Sequence, residues 1–210
     1  MASSFASQIP AITHLIGSLK PKTVLDIGKG FGKYGFLIHE YTGIDNQTKL
    51  DPARTMAEQS QVRVDAVEVD PDLMLPHLSQ FYTKVHFGDV LKLYPGLPKY
   101  DLIIMIDIIE HIEKEQTIPM LRHFLEQGSN VIISTPVDFF EQHLYESVFE
   151  NHVSHWTLKD FKFLGFADVQ YFDSGAVYLL SAKKIDIRGF GKGFLKKLRR
   201  IARLVKNELQ

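Results

Sequence analysis

Short apolar runs alternate with segments of helical periodicity along most of the chain. Apolar residues recur at helical spacing over 4–19, which predicts a first helix that ends before Pro21. The run 102–106 is continuously apolar, as are strands that are buried on both faces of a parallel sheet. Patterns of this kind predict strands over 23–27, 63–69, 84–87, 100–106, 130–134, 168–172 and 176–182. Further helices are predicted over 33–41, 71–80, 114–127 and 158–164.

The order of these elements predicts the fold class. Strands and helices alternate as they do in an open α/β sheet, and the last two strands are separated only by Asp173-Ser174-Gly175, which favours an antiparallel hairpin. We therefore expect a Rossmann-like α/β fold with a seven-stranded, mostly parallel sheet, an antiparallel C-terminal hairpin and helices on both faces. The polar stretch 42–61 fits no element of this sheet and is predicted to be an insertion at the pocket rim.

Charge is distributed unevenly along the 210 residues. Residues 183–210 carry 10 Lys and Arg against 2 Asp and Glu, whereas residues 1–182 carry 14 against 23. We therefore expect one domain over 1–182 and a basic tail over 183–210. The chain has no cysteine, which excludes disulfides and thiolate metal ligands. The N-terminus lacks the pattern of a signal peptide, and no apolar stretch reaches the roughly 18 residues of a membrane span, so we expect a cytoplasmic protein.

Three alternating glycines follow the first predicted strand. The segment 24–32 reads Val-Leu-Asp-Ile-Gly-Lys-Gly-Phe-Gly, so Asp26 lies near the strand's end and Gly28, Gly30 and Gly32 come just after it. Glycine allows the backbone to turn at positive φ and allows a ligand to approach the main chain closely. The helix that follows directs its free N–H groups into the same space. This stretch predicts a pocket for a nucleoside-bearing cofactor.

Acidic residues follow three further strands. Glu68, Asp89 and Asp107 each stand at the carboxyl end of a predicted strand, and ligands of open α/β sheets bind beyond these ends. Glu68 suits a pair of ribose hydroxyls, since an ionised carboxylate only accepts hydrogen bonds; otherwise it is a solvated strand-end acid. Asp89 can accept from an adenine amino group, the alternative being a simple turn acid. We expect all three to converge on the glycine turn.

Four segments, in the same order, resemble the motifs of class I S-adenosylmethionine-dependent methyltransferases. They are 24–32, 66–70, 88–90 and 107–111, and the likeness extends over about 15–182. The resemblance implies S-adenosylmethionine as the cofactor, with Asp26 anchoring the loop and binding the methionine end rather than capping a helix. The expected cofactor-binding residues are Asp26, Gly28, Gly30, Gly32, Glu68, Val69, Asp89, Val90 and Asp107.

The segment after the fifth strand resembles a bacterial subset of the same methyltransferases. The likeness is carried by Thr135-Pro136, Gln142 and Glu150-Asn151-His152-Val153-Ser154-His155-Trp156. It implies a segment that covers the methyl donor and lines an acceptor pocket, which Glu150 and His143 are also expected to crowd. Trp156 is expected to be a packing anchor, or else a wall of the acceptor pocket.

Histidines in this pocket are the candidate catalytic residues. An alcohol or ammonium acceptor must lose a proton, and histidine titrates in the right range. His152 is our first candidate for the base, followed by His111 and His155. The alternative for His152 is a residue that only orients the loop, and the alternative for His111 is a residue that packs against strand four.

A dinucleotide and a metal ion are both disfavoured as ligands. Gly30-x-Gly32-x-x-Gly35 fits the dinucleotide fingerprint literally, but the acid expected about 20 residues on would be Asp51, which lies in the polar stretch.

For a metal, Asp107 and Asp138 follow strands four and five, where catechol-type methyltransferases place oxygen ligands, but Thr135-Pro136 stands in place of their acid-amide pair. His152-x-x-His155 suits zinc but lacks an obvious third ligand. We therefore expect no metal.

The leading hypothesis for function is transfer of a methyl group from S-adenosylmethionine to an oxygen or nitrogen of a small-molecule acceptor, such as a sugar or a natural-product intermediate. The alternative is a catalytically inactive cofactor-binding module that acts as an adaptor, or at a membrane, through its tail. An amphipathic basic helix is predicted over 192–206, which is typical of contact with a membrane surface, a partner or a dimer mate. Nucleic acid is not expected as a substrate, because the body of the chain is acidic.

Overall fold

A single mixed sheet organises the molecule. The computed structural model describes residues 5–44, 50–138 and 151–191. Within them, seven strands lie in the order β3-β2-β1-β4-β5-β7-β6. They are β1 Thr23–Ile27, β2 Arg63–Glu68, β3 Lys84–Phe87, β4 Leu102–Ile106, β5 Asn130–Pro136, β6 Phe166–Tyr171 and β7 Gly175–Ser181.

The pairing of the strands confirms the expected fold. Strands β1 to β5 pair in parallel, and β7 lies antiparallel between β5 and β6. The strand order reverses between β1 and β4, so the crevice beyond the end of β1 is the switch point at which open α/β sheets bind ligands.

Helices and short turns connect the strands. The α-helices are α1 Ile9–Leu19, α2 Lys33–Ile38, α3 Met56–Gln59, α4 Val90–Leu93, α5 Lys114–Glu126 and α6 Leu158–Phe161. A π-helix over His39–Gly43 continues α2. Single 3₁₀ turns lie at Ala6–Gln8, Pro71–Leu73, Pro76–Gln80, Tyr94–Gly96, Ile109–His111 and Lys162–Leu164.

The connection between β2 and β3 differs from the prediction. One helix over 71–80 was expected, but the structure has two 3₁₀ turns, each opened by a proline, Pro71 and Pro76. Proline lacks the N–H that an interior helical residue donates, and it disfavours the helical conformation of the residue before it. The helical periodicity of this stretch therefore does not produce a continuous helix.

The two faces of the sheet bury separate hydrophobic clusters. In β4, Ile103 and Met105 belong to one cluster, whereas Leu102, Ile104 and Ile106 belong to the other. Side chains of a strand point alternately to opposite faces, so both faces of this strand are covered. Met120, Leu121 and Phe124 of α5 pack on the first face. Residues Ile12, Leu15 and Ile16 of α1 pack on the second.

The chain continues along the body after β7. Ile187 and Phe190 are buried in the cluster that contains α1, and the carbonyl of Arg188 accepts a hydrogen bond from His14 Nε2 at 2.8 Å. The predicted amphipathic helix over 192–206 lies outside the described residues. Among the residues that the structure does describe, no helix has both the length and the apolar character needed to cross a bilayer.

Trp156 fixes the segment that follows β5 against the turn that follows β4. Its side chain is 1% exposed, and its Nε1–H donates to the carbonyl of Ile109 at 3.1 Å and to Ser154 Oγ at 2.7 Å. Its ring stacks on Phe161 with the centroids 5.2 Å apart. The backbone N–H groups of Val153 and Ser154 both donate to the carbonyl of Glu110, at 2.9 and 3.0 Å. The structure thus supports the packing role for Trp156.

Replacing Trp156 by alanine is expected to lower the free energy of unfolding by about 3–5 kcal/mol, since the change leaves a large cavity and removes the hydrogen bonds that Nε1 donates. Urea unfolding should be followed by circular dichroism, because Trp156 is the chain's single tryptophan. Phe163, which is 57% exposed on the neighbouring turn, is the matched control, and Phe163→Ala should change stability by less than about 0.5 kcal/mol. Equal losses in the two variants would contradict the anchoring role.

Candidate functional site

The turn after β1 adopts a conformation that requires glycine. Gly28, Gly30 and Gly32 have φ values of 73°, 52° and 84°, all in the left-handed region. A Cβ on Gly28 would collide with the side chain of Ile108, and one on Gly32 would lie 2.8 Å from Leu78 Cδ2. The backbone of this turn is therefore in close contact with its surroundings and carries no side chains at these three positions.

Glu68, the last residue of β2, faces the glycine turn. Its side chain is only 5% exposed. Oε1 accepts hydrogen bonds from the backbone N–H groups of Val69 at 2.9 Å and Asp70 at 3.1 Å. Oε2 accepts from the N–H of Gly30 at 3.3 Å. The carboxylate therefore lies between the end of β2 and the turn after β1, and its ribose role stays a prediction.

Lys29, which the sequence pattern did not single out, lies beside Glu68. Its side chain is fully buried, with Nζ 3.6 Å from Glu68 Oε2 and 2.8 Å from the carbonyl of Leu73, to which it donates. Burial lowers the pKa of Lys29, and Glu68 opposes that shift. A lysine within a glycine-rich loop is normally solvated, so no pattern in the sequence predicts its position.

Asp26 is held by a tyrosine from the segment that leads into β3. It is 2% exposed, and its Oδ2 accepts from the hydroxyl of Tyr82 at 2.6 Å. The same hydroxyl accepts from the N–H of Gly35 in α2 at 3.2 Å. Burial raises the pKa of Asp26 from 3.8 to about 7, against the opposing effect of the Tyr82 hydrogen bond. Asp26 thus links β1 to α2 through Tyr82, and its role at the methionine end stays a prediction.

Asp89 lies close to the end of β2 but also caps a helix. The N–H of Gly88 donates to the carbonyl of Glu68 at 2.8 Å, which places Asp89 at the same edge of the sheet. Its Oδ1 accepts from the N–H of Leu91 at 2.9 Å, as the N-cap of α4. Val90, the first residue of this helix, is buried. The adenine role of Asp89 and the contacts expected of Val69 and Val90 stay predictions.

Asp107 has an unusual backbone conformation just beyond β4. Its φ of 54° is left-handed, which non-glycine residues adopt rarely and most often at functional sites. Its Oδ1 accepts from Ser134 Oγ at 2.7 Å, and its N–H donates to the carbonyl of Ser134 at 2.9 Å. Burial raises the pKa of Asp107, while the charges of Lys33 and His152 lower it. Asp107 therefore interacts with both the helix that follows the glycine turn and the histidine segment.

The structure brings together a group that the sequence pattern did not assemble. Glu110, His111 and His152 each offer one potential ligand atom, and these atoms lie within 4.8 Å of one another. The rings of His111 and His152 are 4.9 Å apart between centroids. The sequence pattern offered no third metal ligand beside His152 and His155, because the two partners of His152 come from a different segment. The pair Glu110-His111 directly after a buried strand was the available signal.

His155 does not join this group within the described residues. Its Nε2 donates to the carbonyl of Val137 at 2.7 Å, just beyond the end of β5. Asp138, also considered from the sequence, is exposed. The predicted pocket residues Gln142, His143 and Glu150 lie outside the described residues. The positions of these side chains do not test the catalytic roles expected of His152, His111 and His155, which stay predictions.

Comparison with solved structures places this arrangement among known folds. No protein-family model and no curated protein sequence matches the chain. An S-adenosylmethionine-dependent methyltransferase from Archaeoglobus fulgidus superposes with a TM-score of 0.54 at 20% identity, over 80% of this chain and 71% of that one. The DhpI–SAH complex gives 0.56 at 15% identity, over 82% of each chain. An O-methyltransferase family protein from Burkholderia thailandensis gives 0.55 at 12% identity, over 86% of this chain and 57% of that one.

The chain has the fold of S-adenosylmethionine-dependent methyltransferases. At these identities the likeness establishes the fold, whereas the cofactor and the acceptor have to be argued from the site. In this fold the edge occupied by the glycine turn, Glu68 and Asp89 is the one beyond the carboxyl ends of the parallel strands.

The pH dependence of stability tests the burial of Asp26. Its raised pKa means that the folded protein keeps a proton that the unfolded chain has released, so the free energy of unfolding falls as the pH rises from 3.8 to about 7 and levels off above that. An asparagine at this position cannot ionise but can still accept from Tyr82, so Asp26→Asn should remove this component. Urea unfolding at pH 5 and pH 8 should show a loss in the wild type that exceeds the loss in the variant by on the order of 2 kcal/mol. Identical pH dependence in the two proteins would contradict the raised pKa.

Proposed function

We propose that the chain is an enzyme that transfers a methyl group from S-adenosylmethionine to an oxygen or nitrogen of a small-molecule acceptor. The observation that carries the proposal is the buried carboxylate of Glu68, directed at a turn in which three glycines have left-handed φ. A strand-end acid beside a turn without side chains can hold a nucleoside by its ribose. The shared fold with methyltransferases supports a methyl donor in this crevice.

The residues of the crevice fit S-adenosylmethionine. Among the described residues, Glu68 Oε2 accepts a single hydrogen bond, the long one from Gly30, so it retains capacity for a ribose hydroxyl. Lys29 Nζ, 3.6 Å away, balances the charge of this carboxylate while remaining bonded to the carbonyl of Leu73. The glycine turn carries no side chain at Gly28, Gly30 or Gly32, and Asp26 lies in the strand that leads into it.

The remaining residues act on the acceptor side. When bound, S-adenosylmethionine supplies a methyl group on a positively charged sulfur, which is already activated for displacement. The chain then has to align the nucleophile, exclude water and accommodate the acceptor's proton. His152 and His111, with rings 4.9 Å apart beyond the end of β4, are the groups we propose for the proton. Trp156 and the hydrogen bonds to the Glu110 carbonyl hold the segment that carries His152.

Cofactor affinity tests this proposal directly. Titration calorimetry with S-adenosylhomocysteine should show binding in the micromolar range to the wild type. The variant Glu68→Gln should bind at least about 10-fold more weakly, because the loss of one good charged hydrogen bond corresponds to about 1.4 kcal/mol or more. Asp72→Asn, which neutralises an exposed acid on the neighbouring 3₁₀ turn, is the matched control and should bind like the wild type.

Glu68→Gln also leaves Lys29 as a buried charge without its partner, which can destabilise the fold. The double variant Lys29→Met, Glu68→Gln removes both charges and provides a second protein in which binding can be measured. Tight binding of NADH with none of S-adenosylhomocysteine, or undiminished binding of S-adenosylhomocysteine by both variants, would exclude the proposed site.

A further inference from the structure

Two chain segments bring three metal-ligand side chains together. Glu110 and His111 belong to the 3₁₀ turn after β4, and His152 belongs to the segment that follows β5. One ligand atom from each lies within 4.8 Å of the other two. Metal–ligand bonds of about 2.0–2.2 Å place neighbouring ligand atoms about 3–4 Å apart, so a cation requires side-chain shifts of only about 1 Å.

Glu110 carries the clearest sign of an absent binding partner. The side chain is buried, with a relative exposure of 3%, and Oε2 has no hydrogen-bond partner among the described residues. A buried carboxylate oxygen without a donor is costly, and natural structures retain such groups mainly where they bind or react. A cation bound at Oε2 would remove the penalty.

The orientation of His111 is that of a metal ligand. Its Nδ1 donates to the backbone carbonyl of Asn151 at 3.1 Å. A carbonyl only accepts, so Nδ1 carries a proton in this hydrogen bond. Histidines that bind metals are usually fixed in this way, by a hydrogen bond from the other ring nitrogen to a carbonyl or carboxylate. The hydrogen bonds that hold residues 153 and 154 to the Glu110 carbonyl fix His152 over the same turn.

The charges around the group also favour a cation. Asp107 interacts electrostatically with both Glu110 and His152, so a second carboxyl group contributes to the negative charge near this group. Lys33, at the start of α2, also interacts electrostatically with Asp107. Two imidazoles with one carboxylate are a ligand set typical of divalent first-row transition metals, and they leave coordination positions open.

We propose that Glu110, His111 and His152 bind a divalent transition-metal cation, with Asp107 beside it, and that the cation coordinates a hydroxyl oxygen of the acceptor. The second half of this inference depends on the proposed methyltransferase function, whereas the first half does not. It departs from our expectation of no metal, and it makes an oxygen rather than a nitrogen the methylated atom.

With the cation bound, His111 and His152 act as its ligands and no longer as the proton acceptors proposed above. Coordination lowers the pKa of the bound hydroxyl, whose proton is released to solvent water. The resulting alkoxide oxygen forms a bond to the methyl carbon. The carbon–sulfur bond breaks with its electron pair remaining on sulfur, which yields the methyl ether and S-adenosylhomocysteine. Charge and atoms balance without any further reactant.

Metal binding should be measured on the full chain without an affinity tag, because histidine tags bind the same ions. After treatment with EDTA and desalting, Mn²⁺ should be titrated by electron paramagnetic resonance and Zn²⁺ by calorimetry. We expect one site per chain. Glu110→Gln and His152→Ala should each weaken it by at least about 10–100-fold, since either change removes a direct ligand. His155→Ala is the matched control and should change affinity less than about 3-fold, because its Nε2 is bonded to Val137 outside the group.

Co²⁺ tests whether the cation has room for an acceptor. Its visible absorption bands should appear on binding and should shift when acetohydroxamate, a small oxygen chelator, is added to the wild type. An unshifted spectrum would mean a closed structural site and would overturn the acceptor role.

Affinity for S-adenosylhomocysteine separates the two proposals. In Glu110→Gln it should match the wild type, which also shows that the variant folds. Binding of S-adenosylhomocysteine without binding of Mn²⁺, Zn²⁺ or Co²⁺ would overturn the metal site alone. Binding of metal without S-adenosylhomocysteine would support the site and remove its role in methyl transfer.

Discussion

The hydrogen bonds and charge of Glu68 are the interactions on which the sheet edge beyond β1 and β2 depends. Its carboxylate joins the end of β2 to the turn after β1, through the N–H of Gly30 on one oxygen and those of Val69 and Asp70 on the other. Lys29, from the turn itself, compensates its charge. Because burial of an unpaired carboxylate is unfavourable, these contacts determine how the turn lies against the neighbouring strand.

The segment that carries His152 is held by packing rather than by charge. Trp156, stacked on Phe161 and bonded to the Ile109 carbonyl, ties the segment after β5 to the turn after β4. The N–H groups of Val153 and Ser154 complete this attachment at Glu110. As a result His152 reaches His111, although the two residues lie far apart in the chain.

The strands could be predicted closely from the sequence. β1 and β3 have the predicted bounds, and the other strands differ at their ends by only a few residues. Long apolar runs between turn residues leave few alternatives to a buried strand.

The helix expected over 71–80 was wrong because proline overrode its periodicity, and α4 was missed because four residues are too short for a helical pattern to emerge. β5 continues through Pro136, because antiparallel pairing with Gly175 of β7 carries the strand to that point.

The sequence by itself determined the sheet, the glycine turn and the acids at the strand ends, since these follow from local periodicity and from residues that few conformations allow. Only the tertiary structure decided which side chains meet across the sheet. It placed Tyr82 on Asp26, buried Lys29 beside Glu68, and assembled Glu110, His111 and His152 from two distant segments. These side-chain contacts depend on the order of the strands, on where the helices pack and on the energetic cost of burying each charged group. No local sequence pattern predicts them.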